Sequence, residues 1–224
     1  MTELKPNRRR RTASLSREQI IDAAIRLLDS GGEAGLTFRT LADRLATGPG
    51  ALYGHIANKR DLVVAACGAI ITRRVDVEAH HASPEDAVRA VALAMYDAMN
   101  AHPWVGSALR WSAGELTMVR ILERIGQQVI ALGVPESARW AAVSALLNYI
   151  LGVGGQNAGN ALSAQAHCVS RDALLGSVAT TWLQLDPQAY PFTRSVAAQM
   201  RVHDDRADFL VGLDFILAGM MRVG

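Results

Sequence analysis

Residues 35–62 read GLTFRTLADRLATGPGALYGHIANKRDL, and this stretch decides the fold. The Thr37 hydroxyl can cap a short helix over about Phe38 to Leu45, because it can accept from a free backbone N–H of the first turn. Pro49 fits the first position of the next helix, where its missing N–H would have no partner in any case. Two short helices joined by a tight turn are typical of a helix-turn-helix motif.

Helices are also predicted on both sides of this stretch. Upstream, Ser16 begins a capping box, and apolar residues then recur at helical spacing until Gly31 and Gly32. Downstream, Asn58 can cap a further helix that runs towards Val75. We therefore predict a compact helical unit built around the helix-turn-helix.

The composition is that of a folded helical protein. Half of the 224 residues are apolar (50%) and 20% are charged, which excludes wholesale disorder. Few prolines and aromatics accompany many Ala and Leu residues, so we predict an all-α fold. The two cysteines, Cys67 and Cys168, are too few and too far apart for a disulfide framework or a zinc site. We expect no metal and no cofactor.

The charge is divided unevenly along the chain. Residues 1–75 hold 13 Lys and Arg against 7 Asp and Glu, a net charge of +6, whereas residues 76–224 hold 10 against 14, a net charge of −4. This division predicts that only the N-terminal part meets a polyanion. The basic run Arg8, Arg9, Arg10 and Arg11 lies in a segment, residues 1–15, that is too poor in apolar residues to fold alone. We expect this arm to lie along DNA phosphates or in a minor groove, and a solubilising tail remains the alternative.

Export and membrane insertion are not expected. No apolar segment follows the basic N-terminal residues, so we predict no secretory signal and a cytoplasmic location. Residues 140–170 carry no Asp, Glu, Lys or Arg, but four glycines and several amides interrupt them. The apolar part is therefore shorter than the roughly 20 residues that a membrane-spanning helix requires.

The rest of the chain is predicted to be helical to its end. Proline, glycine and capping residues divide it into helices, which we place at about 84–101, 115–132, 139–161, from 171 onward, and 207–221. A loop that holds Tyr190 and Phe192 is expected around Pro187 and Pro191. The predicted organisation is an arm at 1–15, a DNA-binding domain at 16–75 and a ligand-binding and dimerisation domain at 76–224.

Three glycines lie inside the long uncharged helix, at Gly152, Gly154 and Gly155. Each costs about 1 kcal/mol in a helix, so we expect a close helix–helix approach, across a dimer interface, to offset the cost. Residues 150–157 are also a near miss to a dinucleotide-binding loop. The third glycine is missing at Asn157, and no alternation of strands and helices follows, so a nucleotide-binding enzyme is only a minor alternative.

Residues 16–67 resemble the DNA-binding domain of the tetracycline-repressor (TetR) family of transcriptional regulators. Three motifs carry the resemblance: GLTxRxLA at 35–42, PGALYxH at 49–55 and NKxxL at 58–62. The resemblance implies a repressor that inserts its second short helix into the major groove of operator DNA.

The resemblance also implies individual DNA contacts. Arg39 matches an arginine that can read a guanine through O6 and N7. Four positions match phosphate contacts beside the groove: Thr37, Tyr53, His55 and Lys59. Gly50 and Ala51 lie where relatives often carry polar or charged side chains that contact bases. Contacts there are therefore limited to those of the backbone and of the alanine methyl group with a thymine methyl group. We expect specificity to rest on Arg39, Tyr53 and DNA shape, although Tyr53 could instead be a packing residue.

The C-terminal part resembles the tetracycline-repressor-type ligand-binding domain. Residues 148–152 and 212–219 look like its two dimer-forming helices, which implies a homodimer through helices around 139–161 and 207–221 and an operator with an inverted repeat. Ligand positions carried over by the resemblance are Val75, Val91, Met95, Leu109, Ser112, Leu122, Ile125, Trp140 and Val143, with Trp104, Trp111 and Asn148 nearby. Leu109 replaces a metal-binding histidine, so a magnesium–tetracycline ligand is not expected.

These observations predict a regulator and not an enzyme. No zinc-type histidine pair, nucleophile motif or phosphate loop is present in the sequence. We expect a repressor that a small apolar or aromatic inducer releases from its operator. An architectural DNA-binding protein without a ligand is the main alternative, because Met and Trp residues at helical spacing also occur as plain core.

Overall fold

The structure is a computed structural model that describes residues 15–75, 83–109, 114–166, 168 and 170–221. Within these ranges the chain forms ten α-helices and one short 3₁₀ helix, and no strand. The predicted all-α fold is therefore confirmed. The arginine arm at 8–11, Trp111 and Ser112 lie outside the described residues.

The chain divides into two compact units, Met1–Ala66 and Cys67–Gly224. The first contains helices α1 (Arg17–Gly35) and α2 (Phe38–Arg44), the 3₁₀ helix (Pro49–Ala51) and the start of α3 (Lys59–Val75). Buried apolar side chains form the core of this unit, among them Ile20, Leu28, Leu36, Leu41, Leu52 and Leu62. Helix α3 crosses the boundary and continues into the second unit.

The predicted start and end of the first helix are visible in its backbone. Gln19 N–H donates to the Ser16 hydroxyl at 3.1 Å, and Ser16 N–H donates to the Gln19 side-chain oxygen at 3.0 Å, which is a complete capping box. Gly32 adopts φ 58° and ψ −163°, a conformation that favours glycine. The chain is therefore kinked at the predicted stop, and one more helical turn follows to Gly35.

The second unit is a larger assembly of helices. Its helices are α4 (Pro84–Ala101), α5 (Val105–Leu109), α6 (Leu116–Ala131), α7 (Glu136–Ala166), α8 (Arg171–Gln184), α9 (Pro191–Met200) and α10 (Asp205–Met220). Helices α4, α6, α7 and α10 pack around a common core, while α8 and α9 pack mainly on each other as a hairpin. Among the described helices, none is both long and apolar enough to cross a membrane.

Three local predictions differ from the structure. The helix expected at Pro49 is a single 3₁₀ turn, followed by a turn in which His55 N–H donates to the Leu52 carbonyl. Helix α5 was not predicted, because five residues are too few to show a helical period. Phe192 was assigned to a loop but lies in the first turn of α9, where Pro191 takes the first helical position.

One glycine of α7, Gly154, is explained by a contact inside the chain. A methyl group at Gly154 would collide with the Met99 side chain of α4. The position of a Cβ on Gly106 of α5 lies 3.3 Å from the Gly155 Cα, so α5 and α7 approach closely. Gly152 and Gly159, by contrast, are exposed, and a Cβ there would meet no described atom within 4 Å.

Candidate nucleic-acid interface and ligand-binding region

A reciprocal pair of threonines fixes the start of α2. Thr40 N–H donates to the Thr37 hydroxyl at 3.0 Å, and Thr37 N–H donates to the Thr40 hydroxyl at 3.0 Å. The Thr40 hydroxyl also donates to the Gly35 carbonyl at 3.0 Å, which ties the cap to the end of α1. Thr37 is exposed at this helix start, as its predicted phosphate contact requires.

An aromatic stack positions Tyr53. The rings of Phe38 and Tyr53 are parallel within 7°, with their centroids 4.7 Å apart. Leu52 and Ile56, on either side of Tyr53 in sequence, are buried and hold this turn onto the core. Tyr53 itself remains 61% exposed, so the phenol is oriented by its neighbour while its edge faces solvent. The role of Phe38 could not be predicted from the sequence, because its partner Tyr53 lies fifteen positions away and no helical period connects the two.

The surface around Tyr53 is nearly bare backbone. Gly48, Gly50, Ala51 and Gly54 are all exposed. A Cβ added to any of the three glycines would meet no atom within 4 Å among the residues that the structure describes. A nucleic acid can therefore approach the main chain closely here, and the segment offers few side-chain donors of its own.

The predicted cationic contacts differ in their surroundings. Arg39 and His55 are exposed on the same unit. The Lys59 ammonium donates to the Glu33 carbonyl near the end of α1. Lys59 thus connects the start of α3 to α1. To contact a phosphate, its ammonium would have to bind the phosphate in addition to the Glu33 carbonyl or in place of it.

The predicted ligand positions separate into three groups. Most are buried in the core of the second unit: Val75, Met95, Trp104, Leu109, Ile125 and Val143. Val91 and Leu122 are half-buried beside them. Trp140 is 72% exposed and Asn148 is also exposed, so these two do not belong to the buried set.

An open groove of about 600 Å³ lies on the second unit. Pro103, Gly106 and Ser107 line one side, and residues of α7 from Asn148 to Leu162 line the other. Asn148 is the one predicted ligand residue that it contains. The described lining carries no charged side chain, and glycines provide much of it.

Helix α3 makes a close contact with α6 in the second unit. A Cβ on Gly68 would lie 2.8 Å from the Thr117 hydroxyl oxygen, so α3 and α6 touch at a position that admits only glycine without adjustment. Helix α3 also carries Lys59, which lies in the first unit.

An aromatic cluster joins α4, α7 and α10. Phe209 is stacked with Tyr96 at 4.7 Å and with Tyr149 at 5.5 Å between ring centroids. The Tyr149 hydroxyl donates to the Phe209 carbonyl at 3.0 Å, and the Asn157 amide donates to the Tyr96 hydroxyl at 3.2 Å. Burial raises the pKa of both tyrosines above the usual value, so both phenols remain neutral donors or acceptors.

A small helix-turn-helix unit joined to a larger all-helical unit is the architecture of helix-turn-helix regulatory proteins. Residues 20–66 match the family described as bacterial regulatory proteins, tetR family. Residues 81–223 match the tetracyclin repressor-like C-terminal domain. The chain belongs to the TetR family, as its motifs predicted, and that family is one of regulatory proteins and not of enzymes.

Three solved structures and one curated relative describe the similarity further. The transcriptional regulator SCO7222, a TetR from Streptomyces coelicolor, is 51% identical with a TM-score of 0.84, covering 93% of this chain and 99% of that one. BioQ, solved with its double-stranded DNA operator, is 28% identical with a TM-score of 0.59, and the match covers 67% of this chain and 90% of BioQ. A second BioQ structure is from Mycobacterium smegmatis. An HTH-type transcriptional regulator of Saccharopolyspora erythraea is 30% identical over 152 residues, 66% of this chain. The chain spans 64% of the length of that relative.

Proposed function

We propose that this chain is a ligand-responsive transcriptional repressor that binds an inverted-repeat operator as a homodimer. The observation that carries the proposal is the stacked and exposed Tyr53 on a turn of nearly bare backbone. Such a surface fits the major groove closely, and phosphate contacts beside it fix its register.

Sequence reading by this surface depends on few side chains. Arg39 supplies a guanidinium fork for a guanine, worth roughly 1–3 kcal/mol of discrimination. Gly50 and Ala51 supply close backbone approach and a methyl group. The remaining contacts of Thr37, Tyr53, His55 and Lys59 are to phosphates, which set affinity more than sequence.

Selection from a random duplex library with the purified chain tests DNA binding. Recovered duplexes are expected to share an inverted repeat, with half-sites about one helical turn apart. The architectural alternative predicts enrichment without a shared repeat. Removing residues 1–11 is expected to lower the slope of log affinity against log salt, since four arginines are lost; an unchanged slope would exclude the arm from the DNA contact.

The homodimer is supported by two helices that are apolar on their outer sides. Helix α10 buries Phe209, Leu213 and Leu217, yet its opposite side exposes Val211 and Phe215. An exposed cluster of large apolar side chains on a helix is often covered by a partner. The outer side of α7 is equally free of charge over much of its length, so the two helices offer a self-complementary face.

We place the inducer in the apolar interior between α4, α6 and α7. Val91, Met95, Leu122, Ile125 and Val143 supply a lining that suits a small apolar or aromatic compound and no ion. Met95, Ile125 and Val143 are buried, so we expect an inducer to separate the helices as it enters. Displacement of α6 would then act on α3 through Thr117 and Gly68, and misplace the two recognition segments.

Reciprocity provides the test of the inducer. A compound that weakens operator binding must itself bind the operator complex more weakly than the free protein, by the same factor. The coupling free energy between two such sites is usually about 1–3 kcal/mol. Candidate apolar compounds can be screened by the rise in melting temperature that a true ligand causes. A compound that raises the melting temperature but binds free and operator-bound protein equally is not the inducer.

A further inference from the structure

The ring of His203, between α9 and α10, contacts two carboxylates at once. Its Nε2 lies 2.9 Å from an Asp205 carboxylate oxygen, and its Nδ1 lies 2.6 Å from an Asp208 carboxylate oxygen. A neutral imidazole carries one N–H and can donate to one carboxylate alone, whereas the protonated ring donates from both nitrogens. The geometry therefore fits the charged imidazolium, because a neutral ring would turn a lone pair towards one of the two carboxylates.

The same residues lie at the base of the α8–α9 hairpin. Arg171, the first residue of α8, donates through Nε to an Asp205 carboxylate oxygen at 3.0 Å and through a terminal nitrogen to the His203 carbonyl at 2.6 Å. Asp205 is the first residue of α10. The chain segment that enters the hairpin and the one that leaves it are therefore joined by the His203 cluster, which consists of Arg171, His203, Asp205 and Asp208.

The hairpin buries little of its own apolar surface. Its two helices pack mainly on each other, and α8 meets α7 in a small contact. Among the described residues of α8 and α9, Ala179 and Ala197 are the buried ones. A segment that buries so little has a low free energy of local opening, so charged contacts at its base contribute a large share of what holds it closed.

We propose that His203 is a pH-sensitive contact that holds the α8–α9 hairpin closed while its ring is protonated. The closed hairpin gives the imidazolium two carboxylate partners, whereas the open hairpin leaves the ring to water. The closed state therefore binds the proton more tightly than the open state, and its stability falls as the pH rises. The change is expected within the range of about pH 5 to 8 in which histidine loses its charge.

The charged groups beside the ring leave a place for one more positive charge. The charged and titratable groups next to His203, or paired with its neighbours, are Asp204, Asp205, Arg206 and Asp208 of α10, Arg171 of α8, Arg201 at the end of α9, and Asp97 and Tyr96 of α4. Arg171 pairs with Asp205, and Arg206 pairs with Asp97. The carboxylates of this set outnumber the guanidiniums by one, and the imidazolium supplies the balancing charge.

Two of these groups are already engaged elsewhere. The Asp204 carboxylate accepts from the Ala207 and Arg206 backbone N–H groups, which holds its pKa below the usual value and keeps it charged. Arg201 donates to the Thr180 hydroxyl at 3.2 Å. The imidazolium of His203 is thus the cation that faces Asp208.

Hydrogen exchange of the hairpin amides tests the proposal on the full chain, without operator DNA or inducer. Protection is taken as the intrinsic exchange rate at each pH divided by the observed rate, so the direct effect of pH on exchange cancels. In the wild type, protection of α8 and α9 is expected to fall about three- to fivefold between pH 6 and pH 8, the effect of a partly exposed ion pair. Mass spectrometry of peptides from the two helices measures it.

Two variants remove the pH-sensitive contact from its two sides. His203→Gln keeps a polar side chain that cannot be charged, so hairpin protection is expected to have the low, pH 8 value at both pH values. Asp208→Asn removes the carboxylate and should reduce the fall to less than twofold. Asp172→Asn, which changes an exposed carboxylate in the first turn of α8, is the matched control and should retain the fall of the wild type.

The outcomes either support the contact or overturn it. Equal hairpin protection of the wild type at pH 6 and pH 8 would exclude it, and so would an undiminished fall in both His203→Gln and Asp208→Asn. Circular dichroism checks that each variant retains its helices. Because no readout involves DNA, failure here leaves the proposed repressor function intact, and failure to bind any operator leaves the His203 contact intact.

Discussion

Phe38 and Tyr53 form a parallel stack that joins the first turn of α2 to the turn after the 3₁₀ helix. The stack crosses the helix-turn-helix and orients the one exposed tyrosine of that segment, within the described first unit. It follows that part of the DNA affinity assigned to Tyr53 depends on Phe38, which itself need not touch DNA.

Phe38→Ala is expected to weaken operator binding about 3- to 10-fold, since an aromatic pair contributes roughly 0.5–1.5 kcal/mol beyond area burial. Tyr53→Phe keeps the stack but removes the hydroxyl, so it should lose affinity without loosening the ring. Fluorescence anisotropy with a labelled operator measures both. Equal affinity of wild type and Phe38→Ala, with an intact fold, would show that the stack does not position Tyr53.

Ala46→Gly is expected to stabilise the protein by up to about 1 kcal/mol. Ala46 has φ 50°, in the left-handed region where an L-residue with a Cβ is strained and glycine is not. Urea denaturation gives the free energy of unfolding. Ala131→Gly, at the exposed end of α6, is the matched control and should destabilise, because no strain is relieved there.

Gly68→Ala is expected to disturb the contact of α3 with α6, because the new methyl group would lie 2.8 Å from the Thr117 hydroxyl oxygen. Lower stability, by about 1–3 kcal/mol, and altered coupling between inducer and operator should accompany it. Thr117→Ala added to Gly68→Ala removes that oxygen and should restore both properties. Failure of the double variant to recover would place the effect elsewhere than in this contact.

Gly212→Ala is expected to lower the free energy of unfolding by about 2 kcal/mol or more. The added methyl group would collide with the Tyr149 ring, which stacking on Phe209 and a hydrogen bond to its carbonyl hold in place. Gly219→Ala, at a glycine of the same helix with open space, serves as the control. Thermal unfolding that ranks the two variants equally would contradict the rigid placement of Tyr149.

Cys67 is expected to make stability depend on pH in the alkaline range. Burial raises the pKa of its thiol from 9.0 to about 12. The stabilisation is complete below the unfolded pKa, near 9, and is lost as the pH rises towards 12, because the unfolded state releases the proton first. Between about pH 9 and pH 10 the wild type should lose about 1 kcal/mol more than Cys67→Ala, which does not titrate there. Urea unfolding at both pH values measures the difference, and identical losses would contradict a buried neutral thiol.

The sequence predicted those features that depend on local chemistry. The capping box at Ser16, the cap at Thr37 and the start of α4 at Pro84 all follow from residues within one helical turn, and all are present. The kink at Gly32 follows from its lack of a side chain. Family motifs identified the exposed turn that carries Tyr53.

Features that depend on distant pairs were not predictable. The stack of Phe38 on Tyr53 and the contact of Gly68 with Thr117 join residues with no shared period. Gly152, Gly154 and Gly155 were expected to allow a close helix–helix approach across a dimer interface. Gly154 packs against Met99 of the same chain, and the reason for the other two stays a prediction. Trp140 is exposed, which could not be predicted because its helix face depends on the neighbouring helices. Its ligand contact stays a prediction.

Gly48, Gly50 and Gly54 provide no side-chain hydrogen-bonding groups on the proposed recognition surface. Each can accept a new side chain without repacking anything beneath it, since the turn is anchored by Leu52 and Ile56 and not by its tip. If this turn binds the major groove as proposed, we expect asparagine, glutamine or arginine introduced there to reach base edges that the present chain does not contact. The scaffold is therefore suited to retargeting towards new operators at little cost in stability.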